Sequence, residues 1–535
     1  MKFVTREMKY PKNDILAKLN RPSLCENGVI FLCLMGMIFS FLTRELVYFR
    51  DYAITFEGGY RVYLGQIPFK DFFSPVGPGS FLLPALFFKL FSPNWTVFLV
   101  VQQFENCLFI VFLYLILVRL RVRVLIRCIS LSAFTLLYLL LQTHPWYNTT
   151  AILLLFAVGW LSLIPQVAAV ICAGLLVGLA VLTKQDVGLL AFLIGGFFTA
   201  VLSFEPNSNQ VIPSEYLIRD KGLVRLMLKR LLIFFLSVFF VVFIFAEATD
   251  PQKFIYWFNY GQTPHERRSF MHLGLLWGLI ALLPGAIFNN RRLFMSGAFF
   301  LAASITRKTS GLEFTHYYYV AFIPIFVDEF LNVKNTIKNA LMMLFLTFLI
   351  LVHPVKSAYY VLEAMAIHQP EHFFFNYRKI SGPLVAMPNK LDAFSTKLMA
   401  PQATIDALLH LKTEMAEWQL SGRGSDFRVL NMTELTPIYA ELNVQPPKKI
   451  PLWFHSKITL FQDQVDELNA VLKTDLYDLI LIQGTHEGLS PTYTGLISVL
   501  DNNLSYDRLP IVKGTPSNFT CTGDCQGDIF IYKKR

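Results

Sequence analysis

The chain has 535 residues, of which 54% are hydrophobic and only 16% are charged, with a formal net charge of +10. This composition excludes an ordinary soluble domain of the same length, which carries more charge and fewer apolar residues. The positive charge does not indicate nucleic acid, because the basic residues cluster in loops that a membrane topology places in the cytoplasm. We therefore predict a multi-span protein whose partners include membrane lipids but no nucleic acid.

Apolar runs long enough to cross a bilayer as helices recur through the first part of the chain. They predict about eleven spans, at residues 27–43, 95–118, 124–142, 149–165, 167–183, 187–204, 231–247, 271–288, 294–308, 317–332 and 340–355. The basic tail over residues 1–26 places the N-terminus in the cytoplasm, and no signal-peptide cleavage site follows the first span. An odd number of spans then places residues 356–535 outside the cytoplasm.

The loop predicted between the first two spans, residues 44–94, holds three carboxylates: Asp51, Glu57 and Asp71. Carboxylates beside a membrane are costly to keep there unless they are used, so this loop is a candidate active site. The chain has no Walker, dinucleotide-binding or zinc-ligand motif, so no cofactor is expected with certainty. A divalent metal at the carboxylate loop is left open as an alternative.

Glycines and prolines punctuate this loop. They predict that it is broken into short pieces at Gly58-Gly59, at Gly65-Gln66-Ile67-Pro68 and at Pro75-Val76-Gly77-Pro78-Gly79. The apolar residues 80–91 that follow are too few to span a bilayer, which predicts a helix lying in the membrane interface.

Other polar side chains fall in loops that the same topology places outside. Lys184 lies in a tight turn beside Gln185 and Asp186, so it is either a snorkelling lysine or part of a polar cluster. A carboxylate that takes a proton from an acceptor, with cations that hold a leaving phosphate, would use such residues. Besides the acids, the candidates are His144, Tyr147, Lys184, Gln185, Arg267, Arg268, Arg307 and His316.

From about residue 356 the composition changes to that of a small soluble α/β domain. Strands are predicted at 427–432, 476–484 and 528–534, and helices at 434–442 and 461–473. No Gly-rich loop follows these strands, so no nucleotide site is expected there. Cys521 and Cys525 are predicted to form a disulfide if the domain lies in an oxidising compartment; two free thiols are the alternative.

The segment EGGYRVYLGQIPFKDFFSPVGPGSFLLPALFFKLF, from Glu57, resembles the first outside loop of bacterial glycosyltransferases of the GT-C fold. These enzymes are related to the protein mannosyltransferases and to the aminoarabinose transferases of lipid A. The later runs GLAVLTKQ and HYYYVAFIP are similar to further motifs of that family, in the same order.

This resemblance implies a polyprenyl-phosphate-linked sugar as donor and inverting transfer on the periplasmic side, with an acid near the end of the first span as base. Asp51 has the position of that acid at the membrane edge, whereas Glu57 has the family's acid-Gly context, so both stay open. Asp71 matches the second acid of the loop. The places where such enzymes hold the donor phosphate match Lys184, Arg267, Arg268 and His316.

The sequence therefore predicts a polytopic α-helical membrane protein of GT-C type with a periplasmic α/β domain. Its parts are a cytoplasmic tail (1–26), a transmembrane catalytic domain (27–355) and the soluble domain (356–535), which the resemblance assigns to acceptor selection or closure. The expected activity is sugar transfer to a lipid, glycan or protein acceptor at the cell inner membrane. A transporter or flippase of polyprenyl-linked glycans, or a ligase of them, is the alternative; Glu105, inside the second span, is the ionisable residue that a transporter would use.

Overall fold

The structure is a computed structural model. It describes residues 24–43, 46–47, 51–74, 76–141, 147–201, 221–260, 282–283, 290–310, 321–332, 384–386, 398–420, 427–433, 438–452, 462–474, 476–483, 491–509, 512–516 and 526–535. The described chain is mostly helical, with a small sheet near the C-terminus. Two described helices are long and apolar enough to cross a membrane, judged by length and composition, and six further apolar helices are shorter.

The helices of the first part follow the predicted spans. In chain order they are α1 (Leu24–Thr43), α2 (Asp51–Tyr63), α3 (Gly79–Phe91), α4 (Trp95–Arg119), α5 (Val124–Leu141), α6 (Tyr147–Ser162), α7 (Val167–Thr183), α8 (Gln185–Val201), α9 (Lys221–Ala248), α10 (Pro251–Tyr260), α11 (Arg291–Ser310) and α12 (Ile323–Asn332). Each predicted span from 27–43 to 231–247 coincides with one helix. Most of 271–288, part of 317–332 and all of 340–355 lie outside the described residues.

Glycines set how closely the helices of this bundle approach one another. On α7, Gly174 and Gly178 are one turn apart and both face α9. A methyl group on Gly174 would lie 2.6 Å from the carbonyl oxygen of Phe234, and one on Gly178 would lie 2.6 Å from Val241 Cβ. Small residues four apart at a helix contact are typical of helix packing in membranes, because they let two backbones come close.

Helix α9 packs one side against α7 and α8 and exposes the other. Its most apolar stretch of 18 residues has a mean hydropathy of 2.7, and only 11% of that stretch is buried. Exposed large side chains follow its outer side: Leu232, Phe235, Leu236, Phe239, Phe240 and Phe243. An apolar surface of this extent is unfavourable in water, and hydrocarbon is an environment in which it is stable.

The first loop is more regular than the sequence predicted. Gly58 and Gly59 do not interrupt the chain; they lie inside α2, on the face that packs against α3. A methyl group on Gly59 would lie 2.7 Å from Pro84 Cβ, and one on Gly58 would overlap the ring of Phe81. The prediction of a break at this pair was therefore wrong, because the glycines serve close helix contact. The break predicted at Gly65 is confirmed: the helix ends at Tyr63, and Gly65 has a φ of +84°.

The helix predicted at 80–91 is confirmed as α3. Its buried side carries Phe81, Pro84 and Phe88, whereas Leu82, Leu86 and Leu90 are exposed at spacings of one helical turn. This helix therefore has an apolar outer stripe in addition to an apolar inner face.

Ion pairs, of which that between Arg127 and Glu26 is buried, join several helices at the end of the bundle where α4 ends. The guanidinium of Arg127 donates to both carboxylate oxygens of Glu26, at 2.5 and 2.9 Å. Arg292 donates to Glu329 at 2.7 Å, and Arg123 donates to Asp328. These pairs connect α1 with α5, α11 with α12, and α12 with the turn after α4.

The C-terminal part contains a five-stranded mixed sheet. Its elements are α13 (Gln402–Leu420), β4 (Val429–Met432), α14 (Ile438–Leu442), α15 (Gln462–Leu472), β5 (Leu479–Gln483), α16 (Pro491–Asp501), β6 (Tyr506–Arg508), β7 (Val512–Pro516) and β8 (Gln526–Lys534). The strand order is β4-β5-β8-β6, with β7 also paired to β8; β4 and β5 are parallel, and β8 is antiparallel to its neighbours. The predicted strands are confirmed, and the predicted helix at 461–473 is α15. Residues 434–437, Cys521 and Cys525 lie outside the described residues.

A second, three-stranded sheet contains one strand from the first loop and two strands from the chain after α12. Its strands are β1 (Leu46–Val47), β2 (Leu384–Ala386) and β3 (Leu398–Pro401). The central strand β3 pairs in parallel with β1 and antiparallel with β2. The start of the first loop is thereby hydrogen-bonded to the chain that leads into α13.

Candidate active site

Glu57 and Arg61 form an ion pair on one face of α2. The Arg61 Nε atom donates to Glu57 Oε1 at 3.0 Å, and the side chains are 1% and 0% exposed. The two residues are four apart on a helix, which puts their side chains side by side. Burial raises the pKa of the Glu57 carboxyl, and the Arg61 charge and hydrogen bond oppose that rise. The second carboxylate oxygen, Oε2, is buried and has no hydrogen-bond partner among the described residues.

The C-terminal part covers this pair. Arg61 Nη1 donates to the carbonyl oxygen of Pro447 at 3.2 Å, and its guanidinium lies 5.2 Å from the ring centre of Tyr439. The side-chain amide of Gln66 donates to the carbonyl oxygen of Pro446 at 2.7 Å. The pKa of Tyr439 is raised by its burial, so its ring stays neutral against the cation. Arg61 therefore has partners in both parts of the chain.

Asp71 is held by the same C-terminal segment. Its Oδ2 accepts from the backbone N–H of Ile67 at 2.8 Å, and its Oδ1 lies 3.3 Å from Lys448 Nζ. The backbone N–H of Lys449 donates to the Asp71 carbonyl at 2.5 Å, and that of Leu452 donates to the Phe73 carbonyl at 2.7 Å. The segment 446–452 therefore runs along the first loop and is bonded to it at several points.

Asp51 is the first residue of α2, but its side chain lies outside the described residues. His144, Arg267, Arg268 and His316 are also outside them. Arg307 lies in α11, and only its backbone is described. The predicted roles of these six residues stay predictions.

Lys184 lies at the junction of α7 and α8 and is only 7% exposed. Its ammonium donates to Asn148 Oδ1 at 2.5 Å, lies 3.8 Å from an Asp186 carboxylate oxygen, and is 5.8 Å from the ring centre of Tyr147. An ammonium within about 6 Å of an aromatic ring centre is attracted to the ring face. Of the two sequence-based interpretations, the structure therefore favours a polar cluster over a lysine that reaches out to the membrane surface.

The turn Gly77-Pro78-Gly79 brings the first loop to this cluster. A methyl group on Gly77 would lie 2.7 Å from the carbonyl carbon of Thr183, and closer still to the carbonyl oxygens of Leu182 and Thr183. A methyl group on Gly79 would lie 3.0 Å from the Leu179 carbonyl oxygen. Both glycines therefore pack directly on the end of α7, one residue before Lys184. Any larger side chain would separate the loop from the lysine.

Tyr147 adds a second contact between the loop and the lysine. Its ring packs against a cluster of buried side chains from the loop and the C-terminal segment, namely Ile54, Phe72, Val76, Phe81 and Leu452. The same tyrosine faces Lys184. It therefore lies where the loop, the helical bundle and the C-terminal segment meet.

An aromatic wall closes the other side of this region. Phe69 and Phe73 of the loop pack against Leu182 and against Phe254 and Trp257 of α10. Gln185 donates to the Trp257 carbonyl oxygen at 3.3 Å. Of the predicted residues, Gln185 and Tyr147 are thus placed beside Lys184, with Asp71 and Glu57 on the same loop that packs against it.

Three contributors were not singled out as site residues from the sequence: Arg61, Asn148 and the segment 446–452. The spacing of Glu57 and Arg61 signals an ion pair on a helix, but the intervening glycines suggested that no helix was present. Asn148 precedes an apolar run, where a polar residue is common at a helix start. The contacts of 446–452 join residues far apart in sequence, and no local pattern predicts them.

Among the described residues, no group of three or more His, Cys, Asp or Glu side chains is arranged to hold a metal ion. The site therefore consists of buried carboxylates, a buried lysine with its amide partner, and an aromatic surround. Comparison with protein-family models, with curated proteins and with solved structures finds no match to this chain.

Proposed function

We propose that the chain is a membrane glycosyltransferase that moves a sugar from a polyprenyl-phosphate donor to an acceptor on the periplasmic face. One observation carries the proposal: the carboxylate-bearing loop packs through Gly77 and Gly79 on the backbone directly before the buried Lys184. This contact joins the loop that carries the proposed base, Asp51, to a cation that can hold a phosphate. The loop motif that resembles GT-C enzymes contains the same glycines.

The chemistry needs one proton acceptor and one cationic site. A carboxylate takes the proton of the acceptor hydroxyl while the oxygen of that hydroxyl forms a bond to the anomeric carbon of the sugar. The bond between that carbon and the phosphate oxygen breaks, and its electron pair leaves with the polyprenyl phosphate. Attack from the side opposite the phosphate inverts the configuration. Lys184 would stabilise the charge that develops on the phosphate, and this stabilisation is strong where water is excluded.

Within this proposal, Asp51 is the base and Glu57 is a positioning residue. Glu57 is fully buried, is paired with Arg61 and is covered by the C-terminal segment. A base must reach the proton that it abstracts, and a carboxylate closed in this way does not. Asp71 is likewise bound to Lys448 and to the loop backbone, which suits a role in holding the loop. Asp51 begins α2 at the end where the first predicted span arrives.

The finer architecture belongs to the same proposal: about eleven spans with a cytoplasmic N-terminus, GT-C type, in the cell inner membrane, with residues 356–535 periplasmic. Helix α3 would lie in the membrane interface, with its exposed leucine stripe toward lipid. The bonds between the first loop and segment 446–452 support a role of the C-terminal domain in closing the site over donor and acceptor.

A transporter or flippase is the second candidate, and Glu105 is the observation that favours it. This carboxyl is buried inside α4 and accepts a hydrogen bond from Thr150 at 2.6 Å. Ionisable groups inside spans often serve transport. Glu105→Gln separates the two functions, because sugar transfer should persist in that variant, whereas proton-coupled transport should not.

The test is transfer by the purified full-length chain in liposomes, supplied with a panel of polyprenyl-phosphate sugars, with release of polyprenyl phosphate measured by mass spectrometry. Asp51→Asn should lower the rate by a factor of about 10²–10⁴, the usual contribution of a general base. Lys89→Ala, an exposed change on α3, is the control and should retain full activity. Transfer at the wild-type rate in Asp51→Asn refutes the base assignment, and no transfer from any donor refutes the function.

A further inference from the structure

Asn148 lies in the first turn of α6 with its carboxamide against the ammonium of Lys184. The residue is 3% exposed. Because an ammonium only donates hydrogen bonds, the amide oxygen must face Lys184, and this orientation fixes Nδ2 on the other side of the carboxamide. Nδ2 is buried and has no hydrogen-bond partner within the described part of the chain.

A buried N–H group without an acceptor is costly in free energy. Native structures keep few of them, and each calls for an explanation such as a ligand, an ion or water. Nδ2 of Asn148 is beside the lysine that the proposed function assigns to the donor phosphate. An acceptor oxygen that reaches Lys184 would therefore also come within reach of the amide.

Two helix N-termini lie next to the same pair of side chains. Helix α6, of 16 residues, begins at Tyr147, and helix α8, of 17 residues, begins at Gln185. The first turns of helices carry unpaired N–H groups and the positive end of the helix dipole, which favour anions. On α8, Asp186 Oδ1 already accepts from the Val187 N–H, so that end is partly capped by the chain itself.

We propose that Asn148 is a binding residue of the donor site: its Nδ2–H group donates to a phosphate oxygen, while its Oδ1 holds Lys184 in place for the same phosphate. This inference rests on the proposed function for the identity of the ligand. It assigns to Asn148 two tasks on the two sides of one planar group. The amide sets the distance between lysine and phosphate, and the α6 N-terminus adds favourable potential.

Substituting Asn148 with aspartate separates this role from a merely structural one. Asn148→Asp keeps an oxygen for Lys184 and turns the hydrogen bond into an ion pair, so a role in the fold alone, with no ligand at this pair, predicts unchanged or higher thermal stability and unchanged ligand binding. A ligand-binding role predicts lost binding, because the donor becomes an acceptor and a negative charge faces the phosphate.

The experiment measures binding of farnesyl phosphate to the full-length protein in detergent micelles, with farnesol and inorganic phosphate as parallel probes. Wild type should bind farnesyl phosphate at least about tenfold more tightly than farnesol, since the site recognises the phosphate. Asn148→Asp should weaken farnesyl phosphate binding by about tenfold or more, and Asn148→Ala should weaken it several-fold. Farnesol binding should not change, and thermal midpoints report whether each variant is folded.

Asn106→Ala is the matched control. Asn106 is also a buried asparagine, 2% exposed, but it is hydrogen-bonded to Gln102 in its own helix. This variant should bind farnesyl phosphate as wild type does. If Asn148→Asp is unfolded, Asn148→Ala decides the question by the same comparison.

Wild-type affinity for farnesyl phosphate in a folded Asn148 variant overturns the inference, as does equal binding of farnesol and farnesyl phosphate by wild type. The proposed function fails separately. If the Asn148 variants bind farnesyl phosphate more weakly but the protein transfers sugar from no donor, the inference stands and the proposed enzymatic function is refuted. Sugar transfer by the wild type, combined with an unchanged affinity of Asn148→Asp for the donor, supports the enzyme and refutes the inference.

Discussion

Buried charges occur at both ends of the helical bundle, but they are satisfied differently. Where α4 ends, Arg127 and Arg292 each meet a carboxylate from another helix with direct hydrogen bonds. Where α4 begins, Lys184 is held by the neutral Asn148, with the Asp186 carboxylate farther away, and Asn148 Nδ2 has no hydrogen-bond partner among the described residues. Closed pairs hold helices together, whereas the second arrangement is the one that we propose binds a ligand. Glu57 and Arg61 share the direct hydrogen bond of the closed pairs, although they lie in the candidate active site and Glu57 Oε2 has no hydrogen-bond partner among the described residues.

The strongest test of this distinction removes one partner of the closed pair in the loop. Arg61→Met leaves the Glu57 carboxyl buried without its cation, and breaking a buried pair in this way costs about 3–5 kcal/mol. It also removes a bond to Pro447. Equilibrium unfolding in mixed micelles should show this loss, and the C-terminal part should become more sensitive to protease. A loss below about 1 kcal/mol, the range of exposed pairs, would contradict the assignment of a closed pair.

The same variant predicts a pH dependence. Burial raises the pKa of Glu57, and Arg61 is what opposes that rise, so the pKa should increase further in Arg61→Met. A carboxyl whose folded pKa exceeds its unfolded value binds its proton more tightly when folded, so stability rises as the pH falls through the folded pKa toward the unfolded one. The variant's deficit against wild type should therefore shrink on acidification from pH 7. A deficit that is constant with pH would contradict the further rise of the Glu57 pKa in the variant.

Breaking a pair at the other end sharpens the contrast. Arg127→Met removes the guanidinium that is hydrogen-bonded to Glu26, and this change should also cost about 3–5 kcal/mol. Donor binding by the folded fraction should not change, because this pair joins α1 to α5 far from the first loop in the bundle. The measurement is farnesyl phosphate affinity at a temperature where the variant is folded. A tenfold loss of affinity would show that the two ends are energetically coupled.

Gly77→Ala tests the contact that brings the loop to Lys184. The added methyl group meets the backbone of Leu182 and Thr183, and overpacking of this kind costs about 1–3 kcal/mol. Because the loop must move away from the lysine, the rate of sugar transfer should fall by more than the loss of stability alone explains. Gly196→Ala is the control, since a methyl group there would make only an ordinary contact, 3.6 Å from Phe234. Equal effects of the two variants on transfer would contradict the proposed contact.

The smallest effect is expected at Lys448. Its side chain is 67% exposed and lies 3.3 Å from Asp71. Exposed ion pairs contribute about 0–1 kcal/mol, so Lys448→Ala should change the unfolding free energy by no more than that. Raising the salt concentration should remove the difference between variant and wild type. A larger, salt-independent loss would place Lys448 among the closed pairs.

Helix positions were predictable from local patterns, and the contacts that join them were not. Runs of apolar residues marked α1 and α4 to α8 within a few residues, and α9 apart from its basic first ten residues, because a helix that faces apolar surroundings must be apolar along its length. The C-terminal strands Val429–Met432 and Leu479–Gln483 were marked by short apolar runs in the same way. The break predicted at Gly58-Gly59 was wrong, because glycine occurs both in turns and at close helix contacts. Only the facing side chains of Phe81 and Pro84 distinguish these two uses.

The sequence by itself determined the helical bundle, the small C-terminal sheet and the identity of the acids and cations in the loops. Hydrophobic patterning and residue chemistry are local properties, and they can be recognised from the amino-acid sequence alone. Only the tertiary structure decided that Glu57 is closed by Arg61 and that Asn148 orients Lys184. It alone decided that Gly77 packs at the end of α7 and that segment 446–452 covers the loop. Burial and hydrogen-bond partners depend on chain segments far apart in sequence, so the state of a carboxylate or an amide follows from the folded neighbourhood.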